Sequence, residues 1–173
     1  RDKIAVISKN RPEWVILDLA VQQIGAVLTP IYPTISINEL EFVLSDAAVK
    51  MVFVNDEELF LKVNSLRGKL PSLQSIFTFE HVVNARHWKE VLLEANDASK
   101  ASLPALRDAV DAEDIVTIIY TSGTTGVPKG VMLSHQNIVS NVKYSIDFAP
   151  FHLMKRALSF LPLNHVYERM LNV

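Results

Sequence analysis

The chain has no cysteine, which excludes a disulfide framework and a thiolate metal site and permits a reducing compartment. It has no block of lysine and arginine and a formal net charge of −2. Binding to nucleic acid through clustered positive charge is thereby disfavoured. The histidines, His81, His87, His135, His152 and His165, include no pair at helical ligand spacing, which argues against a structural zinc site. The most apolar stretch, Trp14 to Leu28, is broken by Asp18, Gln22 and Gln23 and is too polar and too short for a membrane span. No secretory signal stands at the start. Glycine is scarce: of five in the chain, three stand at 123, 126 and 130.

What is present suffices for a folded core, because 49% of 173 residues are hydrophobic. The chain opens Arg1-Asp2-Lys3 without methionine and stops at Asn172-Val173, so a piece of a longer protein is expected. Lys3 to Ser8 reads as a strand. Asn10-Arg11-Pro12-Glu13 then supplies a cap-like asparagine, an early proline and an early acid for a helix from about Pro12 to Ile24. Trp14, Leu17, Val21 and Ile24 share one face of it as core positions, and Gly25 stops it. Ala26 to Tyr32 is a second strand; Ser36-Ile37-Asn38-Glu39 has the form of a capping box for a helix to about Ala48; Lys50 to Val54 is a third strand. Asn55-Asp56-Glu57-Glu58 starts another helix, and Ser75 to Phe79 is a fourth strand. This alternation predicts an α/β fold, a layered, largely parallel sheet flanked by helices. The organisation expected is a βαβ-type half over 1–79, a surface excursion over 80–113 with one helical patch at Trp88 to Ala95, and a second half over 114–173. Asp108, Asp111, Glu113 and Asp114 read as a solvated linker rather than a metal or acid–base cluster.

The stretch around which the chain is organised is Tyr120-Thr121-Ser122-Gly123-Thr124-Thr125-Gly126-Val127-Pro128-Lys129-Gly130, directly after the apolar run Ile115 to Ile119. Hydroxyl side chains, glycines and one lysine crowd into a loop that can bend sharply and present N–H and O–H donors, which suits a polyphosphate. A Walker A loop needs G-x-x-x-x-G-K-[ST] opening into a helix. Here Lys129 precedes Gly130 and a second strand-like run, Val131-Met132-Leu133, follows, so the arrangement is strand, loop, strand. Ser134 then caps a helix of about His135 to Phe148, and Arg156 to Leu161 reads as a further strand leading to Pro162-Leu163-Asn164-His165-Val166-Tyr167-Glu168-Arg169. Ligands collect beyond the carboxyl ends of strands in open α/β sheets, so the ends at Tyr120 and Pro162 are expected to face one crevice.

The Tyr120–Gly130 stretch resembles the signature phosphate-binding loop of the adenylate-forming, AMP-binding superfamily. The Pro162–Arg169 run, with Asn10-Arg11-Pro12-Glu13-Trp14 and Pro30-Ile31-Tyr32-Pro33-Thr34, is most similar to the long-chain fatty acyl-CoA synthetase branch. The resemblance implies the amino-terminal part of an ATP-dependent acyl-CoA ligase, with ATP, Mg²⁺ and coenzyme A as cofactors or substrates. It implies that Thr121, Ser122, Gly123, Thr124, Thr125 and Gly126 wrap the phosphates, that Lys129 adds a point charge, that Thr121 helps hold the metal, and that His165 orients the acyl carboxylate. Glu168 and Arg169 read as an ion pair on a helix surface without a catalytic role. The adenine-binding motif, the ribose-binding aspartate, the hinge and the distal adenylation lysine of that superfamily are absent from this chain, so the piece alone is expected to be inactive. The implied partners are small molecules, with no nucleic acid, and the implied location is cytoplasmic, with peripheral membrane association compatible with long acyl chains. Two alternatives stay open: activation of a medium-chain, aromatic or amino acid, and a non-catalytic nucleotide-binding module.

Overall fold

A computed structural model describes residues 1–122, 127–148, 156 and 158–172. Seven strands form one sheet in the order β5-β4-β3-β1-β2-β6-β7. They are β1 (Lys3–Ile7), β2 (Val27–Ile31), β3 (Met51–Val54), β4 (Ser75–Thr78), β5 (Arg86–His87), β6 (Ile115–Ser122) and β7 (Pro128–Ser134). All neighbours run parallel except β6 and β7, which form an antiparallel hairpin. The helices are α1 (Pro12–Gln23), α2 (Ile37–Asp46), α3 (Glu57–Asn64), α4 (Glu90–Leu93), α5 (Asp97–Asp108), α6 (His135–Phe148) and α7 (Val166–Asn172).

The period of two along each strand sorts the core onto the two faces of the sheet. Ala5, Ile7, Ile31, Val52 and Val54 pack with Leu40, Val43 and Leu44 of α2 and Leu59 and Val63 of α3. Ile4, Val6, Leu28, Phe53 and Phe77 pack with Trp14 and Val21 of α1 and with Leu163. Local signals act as the sequence indicated at several ends. The Ser36 side chain accepts from the Glu39 N–H and the Glu39 carboxylate accepts from the Ser36 N–H, closing the capping box of α2. Asp56 caps α3, Ser134 caps α6, and Gly25 follows α1 at φ +68, where a Cβ would be strained. Among the described residues no helix is long and apolar enough to cross a membrane.

Four expectations need correction. Asn10 does not cap α1, whose N-cap is Arg11 without a side-chain bond; the Asn10 amide instead donates to the Leu161 carbonyl and accepts from the Leu163 N–H. The buried face of α1 carries Trp14, Asp18 and Val21, while Ile24 is exposed. The stretch 80–113 is regular, forming β5, α4 and α5; Asn96 and Ser99 close a capping box on α5, which has no buried residue, so its polar composition reflects exposure rather than irregularity. No strand exists among the described residues of 156–161, where Leu158 and Phe160 stand exposed and no ladder of the sheet includes them.

Glu168 and Arg169 require a further correction. Both are buried, and Arg169 pairs with Asp18 of α1 rather than with its neighbour, because α7 lies against α1. Glu168 accepts from the Ser159 hydroxyl.

His135 begins α6, and burial holds its imidazole below the usual value near 6.5, opposed by Asp114 and reinforced by the charges of Arg1 and Arg169. The unfolded chain therefore takes up this proton first as pH falls. The contribution of His135 to stability is present above about pH 6.5 and is lost as pH drops further. A His135→Gln variant should show a flatter melting temperature between pH 7 and pH 5 than the parent; an unchanged slope would contradict this.

Candidate functional site

The site lies at the junction of β2 and β6. Val27 donates its N–H to Asp2 on the β1 side, and alternate residues of a strand direct their N–H groups to opposite neighbours. Leu28 and Pro30 therefore face β6, and Pro30 has no N–H to give. The β2–β6 ladder consists of one pair, Leu28 with Thr117, reinforced by the buried Thr117 hydroxyl donating to the Leu28 carbonyl at 2.7 Å. A cavity of about 580 Å³ lies at the carboxyl ends of β2 and β6. A proline is otherwise out of place in a central strand; here its missing donor falls where no partner is required.

The cavity is lined by Pro30, Ile31, Tyr32, Thr34 and Ile35 from the β2 end, Glu39 and Val43 from α2, Ile119 to Ser122 and Pro128 from the hairpin, and Asn164, His165 and Val166. It brings Thr121, Ser122 and His165 together. Thr121 and Ser122 are the last residues of β6, exposed, with Thr121 opposite Lys129 and Ser122 opposite Pro128 across the hairpin. Directly opposed strand residues project from the same face, so exposed Lys129 stands on the Thr121 side of the hairpin without lining the cavity wall. Gly123, Thr124, Thr125 and Gly126 lie outside the described residues. The crevice expected between two strand ends is thus present, but its His165 side is a turn and the start of α7, not the end of a strand.

His165 is exposed to the cavity while its backbone is held. Its N–H donates to the Pro162 carbonyl at 2.9 Å and its carbonyl accepts from the Arg169 N–H at 3.1 Å. Its Nδ1 faces the Tyr167 N–H at 3.4 Å, and as acceptor there it leaves the ring proton of the neutral tautomer on Nε2. Sequence reasoning missed the groups behind it. Asn164 is buried between Trp14, whose indole N–H donates to Asn164 Oδ1 at 3.0 Å, and the Ile31 carbonyl, which accepts from Asn164 Nδ2 at 3.0 Å.

Tyr120 ties the hairpin to α2. Its hydroxyl donates to Asp46 Oδ2 at 2.6 Å and its ring meets Phe42 edge-on, 6.5 Å between centroids. Burial, then the Asp46 carboxylate, push the phenol well above its usual range, so it stays protonated. Gly130, directly across the hairpin, makes room for that ring: a Cβ there would lie 2.9 Å from Ile118 Cγ2 and 3.1 Å from Tyr120 Cζ. Gly130→Ala should therefore displace Tyr120 and cost about 1–3 kcal/mol, read by urea unfolding; unchanged stability would show that Ile118 and the ring give way freely.

No group of three or more His, Cys, Asp or Glu side chains is gathered for a metal among the described residues. Thr121 offers one hydroxyl oxygen, which fits a magnesium ion carried in by a polyphosphate, since Mg²⁺ keeps waters and substrate oxygens around it.

A cavity at the carboxyl ends of two strands, with Thr121 and Ser122 on one wall and a histidine on the other, stands where open α/β sheets place their ligands. The chain belongs to the AMP-binding enzyme family, whose profile matches residues 1–173. It is 35% identical to the long-chain-fatty-acid–CoA ligase FadD15 of Mycobacterium bovis over 99% of this chain and 29% of that protein. Fatty acyl-CoA synthetase A of Dictyostelium discoideum is 32% identical over 97% of this chain and 26% of its own length. Among solved structures, the inhibitor-bound amino-terminal domain of FACL13 from Mycobacterium tuberculosis matches with a TM-score of 0.75 at 25% identity, covering 98% of this chain and 40% of that one. The luciferase-like enzyme of Zophobas morio matches with a TM-score of 0.70 at 29% identity over 84% of this chain and 33% of its own. The chain thus spans less than a third of the curated relatives it matches.

Proposed function

We propose that this chain is the amino-terminal part of an ATP-dependent long-chain fatty acyl-CoA ligase. In that reaction a fatty carboxylate attacks the α-phosphorus of ATP, releasing pyrophosphate and forming an acyl-adenylate; the coenzyme A sulfur then displaces AMP from the acyl carbon. Two anions must approach, so the protein's work is to neutralise charge and align the reactants. Thr121 and Ser122 with the loop 123–126 take the β- and γ-phosphates, and Lys129 adds a positive charge from the Thr121 side of the hairpin. Thr121 would give one oxygen to Mg²⁺, which would lower the charge of the phosphates. His165 donates its Nε2 proton as a hydrogen bond to the acyl carboxylate and orients it.

The observation that carries this reading is that Thr121, Ser122 and His165 line one cavity at the carboxyl ends of β2 and β6. The names of the relatives supply the acyl class. ATP–pyrophosphate exchange in the whole protein tests it: exchange should depend on a long-chain fatty acid and fall sharply in His165→Ala. Exchange driven only by short, aromatic or amino acids would refute the acyl class. No exchange with any acid, with nucleotide still bound, would refute the enzyme and favour a non-catalytic binding module.

A further inference from the structure

We infer that Asn164 is a positioning residue, fixing His165 against the carboxyl end of β2 through Trp14 and the Ile31 carbonyl; the inference rests on the role given to His165 above. Asn164 is 3% exposed and Trp14 fully buried. The chemistry of the pocket admits one side chain in one orientation. The indole N–H of Trp14 can only donate and the Ile31 carbonyl can only accept, so the group between them must accept on one side and donate on the other. Both bonds measure 3.0 Å, and the amide orientation is dictated by its partners rather than chosen. Aspartate would set a carboxylate against a carbonyl, and alanine would leave two buried polar groups without partners.

This bond pair does more than fill space, because of what it joins. Ile31 is the last residue of β2 and itself lines the cavity, and His165, the next residue after Asn164, lines the opposite wall. The clamp therefore sets the distance between the wall that ends β2 and the imidazole. A second anchor follows on the other side of His165. Arg169 Nε donates to Asp18 Oδ2 at 2.7 Å, in a pair whose side chains are 5% and 0% exposed. Trp14 and Asp18 lie one helical turn apart on α1, so one helix holds the chain before and after His165. The imidazole itself reaches into the cavity, its one hydrogen bond among the described residues being the long one from the Tyr167 N–H, so its placement depends on the backbone that these anchors hold. A reacting group displaced by about 1 Å can cost on the order of 100-fold in rate, which is the scale at which such a clamp acts.

The test is a double-mutant cycle in the whole protein, reading acid-dependent ATP–pyrophosphate exchange for the parent, Asn164→Ala, His165→Ala and the double variant. Asn164→Ala should lower kcat/KM for the fatty acid about 10- to 100-fold while leaving KM for ATP close to the parent value. In the His165→Ala background the same change should cost less than about threefold, because the group it positions is gone. An equal loss in both backgrounds, or no loss from Asn164→Ala, would overturn the positioning role. If Asn164→Ala does not fold, Trp14→Phe, which removes the indole donor together with part of a buried ring and keeps the aromatic core contact, carries the same comparison with a loss in the same direction that is again smaller in the His165→Ala background. Failure of the ligase reading is seen separately, as a parent without exchange dependent on a long-chain acid, and failure of the His165 role as a His165→Ala variant with unchanged exchange.

Discussion

Arg169→Met should destabilise the chain by about 3–5 kcal/mol, since it leaves the Asp18 carboxylate buried without its cation. Asp18 is fully buried and the bond to Gln22 at 3.0 Å is then its remaining side-chain partner. A loss of that size is a large fraction of the total stability of a domain. The double replacement Asp18→Leu with Arg169→Met should recover most of it, because a well-packed apolar pair avoids the desolvation of two charges. Urea unfolding of the parent and the two variants decides: equal losses for single and double replacement would contradict the pairing. The same arginine lies 5.9 Å from the Trp14 ring centre, so some of the loss in the double variant will come from that contact.

Lys129→Ala should reduce ATP–pyrophosphate exchange in the whole protein about 100- to 1,000-fold, the scale at which one preorganised charge or donor on a developing anion acts. Lys129 is exposed on β7 opposite Thr121, and no hydrogen bond or ion pair among the described residues engages its side chain. Its loss should therefore leave the melting temperature within about a degree of the parent, surface substitutions without partners being near neutral. Lys129→Arg should restore charge but not full activity, since a planar fork replaces a compact ammonium. A Lys129→Ala protein that exchanges normally would remove this residue from the site. So would one that loses activity only because it unfolds.

Much of this architecture was legible because it is local. Ser36 with Glu39, Asp56, Gly25 and Ser134 mark helix ends through bonds made within a few residues, and the alternation of strands and helices sets a parallel sheet. The hairpin was equally legible, since Gly130 after Lys129 and an apolar run beyond it rule out a helix after the loop. What sequence reading missed is long-range. Asn10 looks like a helix cap in its own neighbourhood, yet its amide is taken by Leu161 and Leu163. Glu168 and Arg169 look like a surface pair, yet each finds its partner elsewhere.

One signal could have found the buried pair. Asp18 interrupts an apolar segment at one turn from Trp14 and one from Val21, on the face that packs; an acid on a buried stripe requires a cation, and the sequence holds Arg169 beside the candidate site. Asn164, by contrast, gave no signal, because one amide between a proline-leucine pair and a histidine reads as any turn residue. Pro30 was visible as well: a proline in a central strand marks a place where the ladder lacks a donor, and the cavity lies at that end of β2.

The most direct test of the central claim is ATP–pyrophosphate exchange by the whole protein against a panel of carboxylic acids, with His165→Ala and Lys129→Ala beside the parent. Exchange that requires a long-chain fatty acid and is lost in both variants is the expected result. Exchange indifferent to both residues would contradict the site built here from β6, β7 and the start of α7.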